Sequence, residues 1–371
     1  MSPSRAFALC CVVLSSASAC SDAAQQGTPD AARDVAASGG ADAAVDAPAL
    51  VPQTITIFDR VRINSRGDTN VRRADAPMRI ARGAYAKATL VVDLETSCFP
   101  FTWTPPAGQR WPEDCDAFDR NFELRVDPPA DAAAGPPSFE PMRAITPFGG
   151  PLHLEIDVTD LANARPGDHT LRVVIPTYSD ASGQITGSNG GWWVTVKLDT
   201  VPGAPPREVL AAIPLFDHTY KAGDGEQRVD IDVPDGTTKG VIAYRVTGHG
   251  GAQPSGDKAC IGGADEFCQR RHHLLVDGKE IDAPAPWRND CATLCTLTPG
   301  PFGDYCKENP CGAISSVRAS RANWCPGSLT APLVYEVPAL AKPGKHTFAY
   351  AIDNVHSGGS WRVSAVYYAY R

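Results

Sequence analysis

The chain has 371 residues, among them 33 Gly, 33 Pro and 12 Cys, and a formal net charge of -8. So many turn formers, with few long amphipathic stretches, exclude a helical bundle and favour loop-rich β domains. The acidic balance and the lack of a Lys/Arg run exclude a nucleic-acid surface, because phosphate binding needs concentrated positive charge.

The first twenty residues, MSPSRAFALCCVVLSSASAC, place one Arg before an apolar stretch from Ala6 to Leu14 and small residues before Cys20. This reads as an export signal (1–20) whose apolar part is too short to span a bilayer. A cysteine directly after small residues resembles a bacterial lipobox, so Cys20 is a candidate for lipidation and membrane anchoring; plain signal-peptidase cleavage would use the same Ala-Ser-Ala. The expected setting is a bacterial outer-membrane lipoprotein, or a periplasmic or extracellular protein. Residues 21–52 are almost all Ala, Asp, Gly, Ser and Pro, too poor in large apolar groups to form a core, and predict a disordered tether.

From residue 53 onward, short runs alternate apolar with polar residues between turn signals: TITIFD, ATLVVDL, LHLEIDV, TLRVVI, WWVTVKL, RVDIDV, GVIAYRV, KHTFAYAI and WRVSAVYYAY. Period two with frequent breaks predicts antiparallel sandwiches. Asp277-Gly278 lies between two strand-like runs and predicts a tight hairpin, since Gly supplies the positive φ that such a turn requires. DVTDLANARPGDHTLRVVI from Asp157 and EVPALAKPGKHTFAYAI from Glu336 share the order Val, Leu, Pro-Gly, His-Thr, strand. That echo points to two copies of one sandwich, 53–205 and 206–371, although Pro-Gly before a strand is also common turn punctuation.

Nine cysteines follow the tether, and in an exported chain disulfides are their default explanation; the odd count leaves at least one thiol over. A zinc site among Cys291, Cys295, Cys306 and Cys311 has tolerable spacing, but an oxidising compartment favours bridges. Two carboxylates are candidates for chemistry. Asp119 follows Cys115 in CDAFDR, and Glu266 precedes Cys268 in GADEFCQRRHH; each has a neighbouring Phe (Phe118, Phe267) and an Arg (Arg120, Arg270). An apolar ring raises a carboxyl pKa, whereas an Arg lowers it and can hold a polar substrate. The alternative for each is a salt-bridged acid at a strand end.

CDAFDR (115–120), ITPFGG (145–150), LEIDVTDL (154–161), DEFC (265–268) and RANWCPG (321–327) occur in the order and at spacings compatible with motifs of the bacterial peptide-N-glycosidase F family. The resemblance runs from about Ile55 to the C-terminus. It implies an all-β protein of two tandem eight-stranded jelly-roll sandwiches packed side by side, with a site in the groove between them. It implies Asp119 and Glu266 as catalytic carboxylates, with Arg120, Arg321, Trp324, Tyr178 and His249 at substrate-binding positions. It also implies the bridges Cys98 with Cys115, Cys260 with Cys268 and Cys291 with Cys325; the pairing of Cys295, Cys306 and Cys311 stays open. The implied reaction is hydrolysis of the Asn side-chain amide in an N-glycoprotein or glycopeptide by a monomeric enzyme without cofactor or metal.

The sequence also departs from the family pattern. In VVIPTYSD, Pro176 stands where the family has an acidic residue and Tyr178 where it has Trp; Phe267 replaces a Trp before Cys268, and His249 in VTGHGGAQP replaces a groove Trp. The loop between Cys98 and Cys115 is longer and carries Trp103 and Trp111, which together with Tyr178 could stack on sugars. One rival is a non-catalytic glycan-binding lipoprotein of the same fold. A copper-dependent monooxygenase would need clustered His ligands and a Met, and the adjacent His272 and His273 should face opposite sides of a strand.

Overall fold

The computed structural model describes residues 50–371 apart from 67–68, 99–103, 105, 131–134, 253–255 and 302. The export signal, Cys20, nearly all of the expected tether and Trp103 lie outside the described residues.

Alternation in the sequence becomes alternation in burial. In the strand Tyr85–Glu95, Leu90, Val92 and Leu94 point inward while Val91, Asp93 and Glu95 are half-buried on the other face. Among the described residues, eight principal strands between Gln53 and Pro202 form two sheets. One runs Gln53–Arg66, Gly191–Pro202, Tyr85–Glu95, Leu152–Asp157; the other runs Arg73–Ile80, Gly167–Val174, Asn121–Val126, Phe139–Ile145. Short strands Thr69–Val71 and Ser328–Leu329 extend one edge of each. The second half repeats the plan: Val209–Lys221, Gly359–Tyr370, Lys239–Gly250, Leu333–Glu336, and then Gln227–Val233, Gly344–Ile352, His272–Val276, Lys279–Asp282. Numbered first to eighth within each half, the order is 1-8-3-6 and 2-7-4-5 in both. Each half encloses one apolar cluster, the first including Phe122, Leu124 and Trp192, the second Tyr244, Phe348 and Trp361.

The sequence echo is therefore a structural one. Asp127, just after the fourth strand of the first sandwich, has a φ of 52°; Asp277, at the matching place in the second, has 51°. Asp127 accepts from His169 Nδ1 at 2.8 Å and from the Thr170 amide at 3.2 Å, and Asp277 accepts from His346 Nδ1 at 2.8 Å and from the Thr347 amide at 2.9 Å. The opposite ring nitrogens meet backbone carbonyls four residues back, of Arg165 and of Lys342. An Asp in the left-handed region tied to His-Thr on the seventh strand pins the same corner twice. Asp277-Gly278 makes the expected hairpin between His272–Val276 and Lys279–Asp282.

The two sandwiches meet through buried charge as well as apolar contact. Arg362 of the second sandwich donates from Nε to both carboxylate oxygens of Glu123 of the first at 3.1 Å and pairs with Asp217. Arg143 of the first donates from Nη1 to the Arg362 carbonyl at 2.7 Å while pairing with Glu140 at 2.6 Å, and Ser364 bonds to Glu140. Arg245 donates to the carbonyls of Glu140, Pro141 and Thr330. Burial opposes the charge on Glu123, but Arg362, Arg125 and Arg143 outweigh it and hold the carboxyl well below the usual range.

A carboxyl depressed in the folded state contributes stability above its unfolded pKa, near 4.3, and loses it as pH falls toward the folded value. Glu123→Gln leaves buried arginines short of a partner and is expected to cost about 3–5 kcal/mol at neutral pH. In denaturant titrations at a series of pH values the deficit should shrink below pH ~4. A deficit independent of pH would mean that packing, not charge, holds the seam.

Candidate functional site

Both candidate carboxylates lie on the connection from the third to the fourth strand of their own sandwich, and each connection is closed by a disulfide. In the first, Cys98–Cys115 precedes Asp119; in the second, Cys260–Cys268 spans Glu266. The two acids are thus carried on corresponding loops of a repeated fold. Cys291–Cys325 is the third expected bridge, and Cys295–Cys306 is a fourth, leaving Cys311 as a free thiol. This pairing overturns the zinc alternative for Cys291, Cys295, Cys306 and Cys311, since thiols consumed as disulfides cannot be thiolate ligands.

Arg321 brings the loops together. Its Nη1 lies 3.1 Å from Glu266 Oε1 and its Nη2 4.0 Å from Asp119 Oδ2. Nη2 also donates to the carbonyl and the hydroxyl of Ser316 at 2.9 Å. The guanidinium is buried, 4.7 Å from the Phe267 ring and 4.4 Å from the Trp324 ring, while the Asp119 and Glu266 side chains keep 19% and 27% of their surface exposed. The Glu266 carbonyl accepts from the Ala322 amide at 2.8 Å, fixing this loop against the Arg321 segment. Burial raises the Asp119 carboxyl to about 6, opposed by Arg321 and reinforced by Glu266.

Buried acids that sequence reasoning did not single out hold these loops. Asp116, fully enclosed, receives Arg120 Nε at 3.0 Å and Nη2 at 3.1 Å. The Arg120 amide donates to Thr146 Oγ1 and the Thr146 amide to the Arg120 carbonyl, both at 2.8 Å, which is why CDAFDR and ITPFGG belong together. Asp265, beside Glu266, receives Arg270 Nε at 2.9 Å and Nη2 at 2.6 Å together with the His356 amide. Arg270 Nη1 and His356 Nε2 then meet on Asp257 Oδ2. Arg270, expected as a possible substrate contact, instead clamps the loop from within. The signal in sequence was a carboxylate close to a cysteine with an Arg four or five residues on.

Several expected binding residues stand elsewhere than on an open wall. Trp324 is 2% exposed, with its Nε1 donating to the Gly248 carbonyl at 2.8 Å, so it backs Arg321 and offers no face to a sugar. His249 is stacked on Trp324 at 5.3 Å; its Nε2 is enclosed without a partner, and burial holds the ring neutral, at about 3. Arg120 is largely occupied by Asp116, with its guanidinium 4.9 Å from the Phe118 ring. Tyr178 is 45% exposed and its backbone hydrogen-bonds to Asp116, so this ring is open to a ligand beside the Asp119 loop. Pro176 is exposed two residues before it. Trp111 packs against Cys98, Cys115 and Ala117.

A cavity of 790 Å³ lies in the seam beyond the opposite end of Phe139–Ile145, lined by residues that include Phe139, Asp160, Arg207, Tyr368 and Tyr370 but neither Asp119 nor Glu266. His272 is buried, sharing a hydrogen bond with Tyr244 at 3.0 Å, whereas His273 faces out to Glu280 and Asp353, on opposite sides of the strand as expected. Among the described residues, the groups with spacing for a metal are Cys98, Cys115, Cys311 and Asp257, Cys260, His356. Each includes sulfur already used in a disulfide.

Residues 218–368 match the family model described as Peptide-N-glycosidase F, C terminal. A solved structure of PNGF-II shares the fold at 21% identity and a TM-score of 0.63, covering 86% of this chain and 65% of that one. Recombinant peptide:N-glycanase F (PNGase F) aligns at 19% identity and a TM-score of 0.63, over 86% and 95% of the two chains. PNGase F described as a glycosylasparaginase from Flavobacterium meningosepticum aligns at 19% identity and 0.59, over 86% and 96%. The chain thus spans just under two thirds of the PNGF-II structure and nearly all of the other two. No curated protein matches the sequence. Residues 218–368 thus match the C-terminal part of this family, and the chain shares the double jelly-roll fold of PNGase F.

A carboxyl raised on folding costs stability once ionised, and the cost grows as pH climbs from its unfolded value, near 3.9, through the folded one. Asp119→Asn is therefore expected to raise the melting temperature at pH 8, by the equivalent of about 3 kcal/mol, and to leave it nearly unchanged at pH 4. Equal stability of the two proteins at pH 8 would show Asp119 to be ordinarily solvated.

Proposed function

We propose that the chain hydrolyses the Asn side-chain amide linkage of N-glycoproteins or glycopeptides, releasing the glycan as a glycosylamine and leaving Asp on the peptide. The observation that supports this best is that two carboxylates from corresponding loops share one buried guanidinium, with Asp119 raised to about 6. Amide hydrolysis needs a water activated against a poor electrophile and a proton delivered to the departing nitrogen. Above pH 6, Asp119 is ionised and partly desolvated, which makes it a stronger base than a free carboxylate. It takes a proton from water as the oxygen adds to the amide carbon; the C–N bond then breaks and that proton leaves with the glycosylamine. Glu266 and Arg321 polarise the amide. Arg321 Nη1 faces Glu266 at 3.1 Å, and Nε is enclosed without a hydrogen-bond partner among the described residues, so the guanidinium acts on the amide through its charge. Arg120 and the open Tyr178 ring hold the sugar. Trp324 and His249 serve by backing Arg321.

The exported setting fits four disulfides, which form in oxidising compartments. Among the described residues no helix is long and apolar enough to cross a membrane. Lipidation at Cys20, attachment to the outer membrane, a monomeric state, and domains bounded at 53–205 and 206–371 belong to the same proposal. A glycan-binding protein without turnover is the second reading, favoured by the exposed Tyr178.

Incubation with a denatured N-glycoprotein decides between them: mass spectrometry should find glycosylated Asn converted to Asp, with Asp119→Asn lowering kcat by at least about 100-fold. Binding without conversion supports the second reading, and conversion that survives the substitution moves the base elsewhere. Because the base must be ionised, kcat/KM should rise as pH increases through about 6. A fall over that interval would give Asp119 the role of acid.

A further inference from the structure

The Sγ atoms of Cys98, Cys115 and Cys311 all lie within 4.8 Å of one another, although two of them are already bonded. The third arrives on the long connection between the fifth and sixth strands of the second sandwich, so the cluster joins the two halves of the molecule. Gly149, at a φ of 67°, forms its floor. A side chain there would overlap both Cys311 Sγ and Cys98 Cβ, so glycine is what lets the free thiol approach the bridge. The Cys311 amide donates to the Phe148 carbonyl at 2.9 Å, holding the thiol in place. Asp116, next to Cys115, is near enough for its charge to act on Cys311, which burial and that charge push up to about 12.

We propose that these three cysteines form an intramolecular thiol–disulfide exchange site. The Cys311 thiolate attacks Cys98 Sγ, a Cys98–Cys311 bond forms, the Cys98–Cys115 bond breaks, and the proton lost by Cys311 ends on Cys115. One disulfide and one thiol exist before and after, so no oxidant or reductant is consumed. Cys98 is the sulfur attacked because its Sγ and that of Cys311 both border the space a side chain at position 149 would fill. In the exchanged form the bridge ties the first sandwich to the second. Cys115 is then held by its backbone alone: its carbonyl accepts from Thr186 Oγ1 at 2.9 Å and the Gly187 amide at 2.8 Å, and its amide donates to the Pro112 carbonyl at 3.1 Å. The segment freed is the one that begins Cys-Asp116 and leads to Asp119. Protonation and enclosure of Cys311 keep the exchange slow, so the native pairing persists until the thiol is exposed.

The test is disulfide mapping of the full chain after incubation with mixtures of reduced and oxidised glutathione, acid quench, alkylation of free thiols and proteolysis without reduction. Wild type should yield both Cys98–Cys115 and Cys98–Cys311 peptides, in a ratio that does not change with glutathione poise because the exchange is electron-neutral. Cys311→Ser should lose the second peptide. Cys115→Ser, treated with oxidised glutathione, should lose alkylation at both Cys98 and Cys311. Wild type that gives Cys98–Cys115 alone, or Cys115→Ser with Cys98 and Cys311 both alkylated, overturns the proposal. Sulfur pairing is read directly, so the outcome stands whether or not the chain releases glycans.

Discussion

Everything the two sandwiches do jointly depends on the charge buried between them. Glu123 and Glu140 of the first sandwich and Arg245 and Arg362 of the second are all at least nine-tenths buried. Desolvating charges costs several kcal/mol per ion, and here the cost is met by pairing each charge with an opposite one or with carbonyls across the seam. Arg143 contributes by facing both ways, toward Glu140 in its own strand and toward the Arg362 carbonyl opposite. Such a network is directional where apolar packing is not. It fixes the register in which two loops, carrying Asp119 and Glu266, come to face the same guanidinium.

The repeated strand order explains why those loops correspond. A sandwich with order 1-8-3-6 and 2-7-4-5 sends the chain from one sheet to the other between its third and fourth strands, and the crossing loop is free to carry function. Each copy stiffens that crossing with a disulfide and a buried Asp–Arg clasp, Asp116 with Arg120 and Asp265 with Arg270. The clasps differ where the roles differ. Arg120 retains some exposure beside Tyr178, whereas Arg270 is enclosed and shared with Asp257.

Much of this was legible in the sequence because it rests on local rules. Period-two alternation marked the strands, Asp277-Gly278 marked a hairpin, and the Pro-Gly-x-His-Thr echo marked a corner built twice. The pairing of adjacent His272 and His273 with opposite faces followed from strand geometry alone. The site was only half legible. Asp119, Glu266 and Arg321 do meet, but that Trp324 would stand behind the arginine and not beside a ligand depends on the fold of 321–325 over Gly248, which no spacing encodes. Asp116 and Asp265 were hidden for the opposite reason: an Asp near a cysteine looks like any loop residue until its burial is known. Cys311 was left over by arithmetic, but its place against Cys98–Cys115 required the three-dimensional structure.

The proposed chemistry rests on the asymmetry of Arg321 between the two acids. Its guanidinium lies 3.1 Å from Glu266 but 4.0 Å from Asp119, so its attraction is spent chiefly on Glu266. Asp119 suffers the desolvation of the same crevice with less compensation and feels the negative charge of Glu266 as well. In the proposed reaction it is Asp119, the acid farther from the guanidinium, that accepts the proton. The aromatic rings of Phe267 and Trp324 reinforce this by fixing the guanidinium plane without offering a competing anion. An Arg321 midway between the carboxylates would stand nearer to Asp119 and offset more of the burial that raises it.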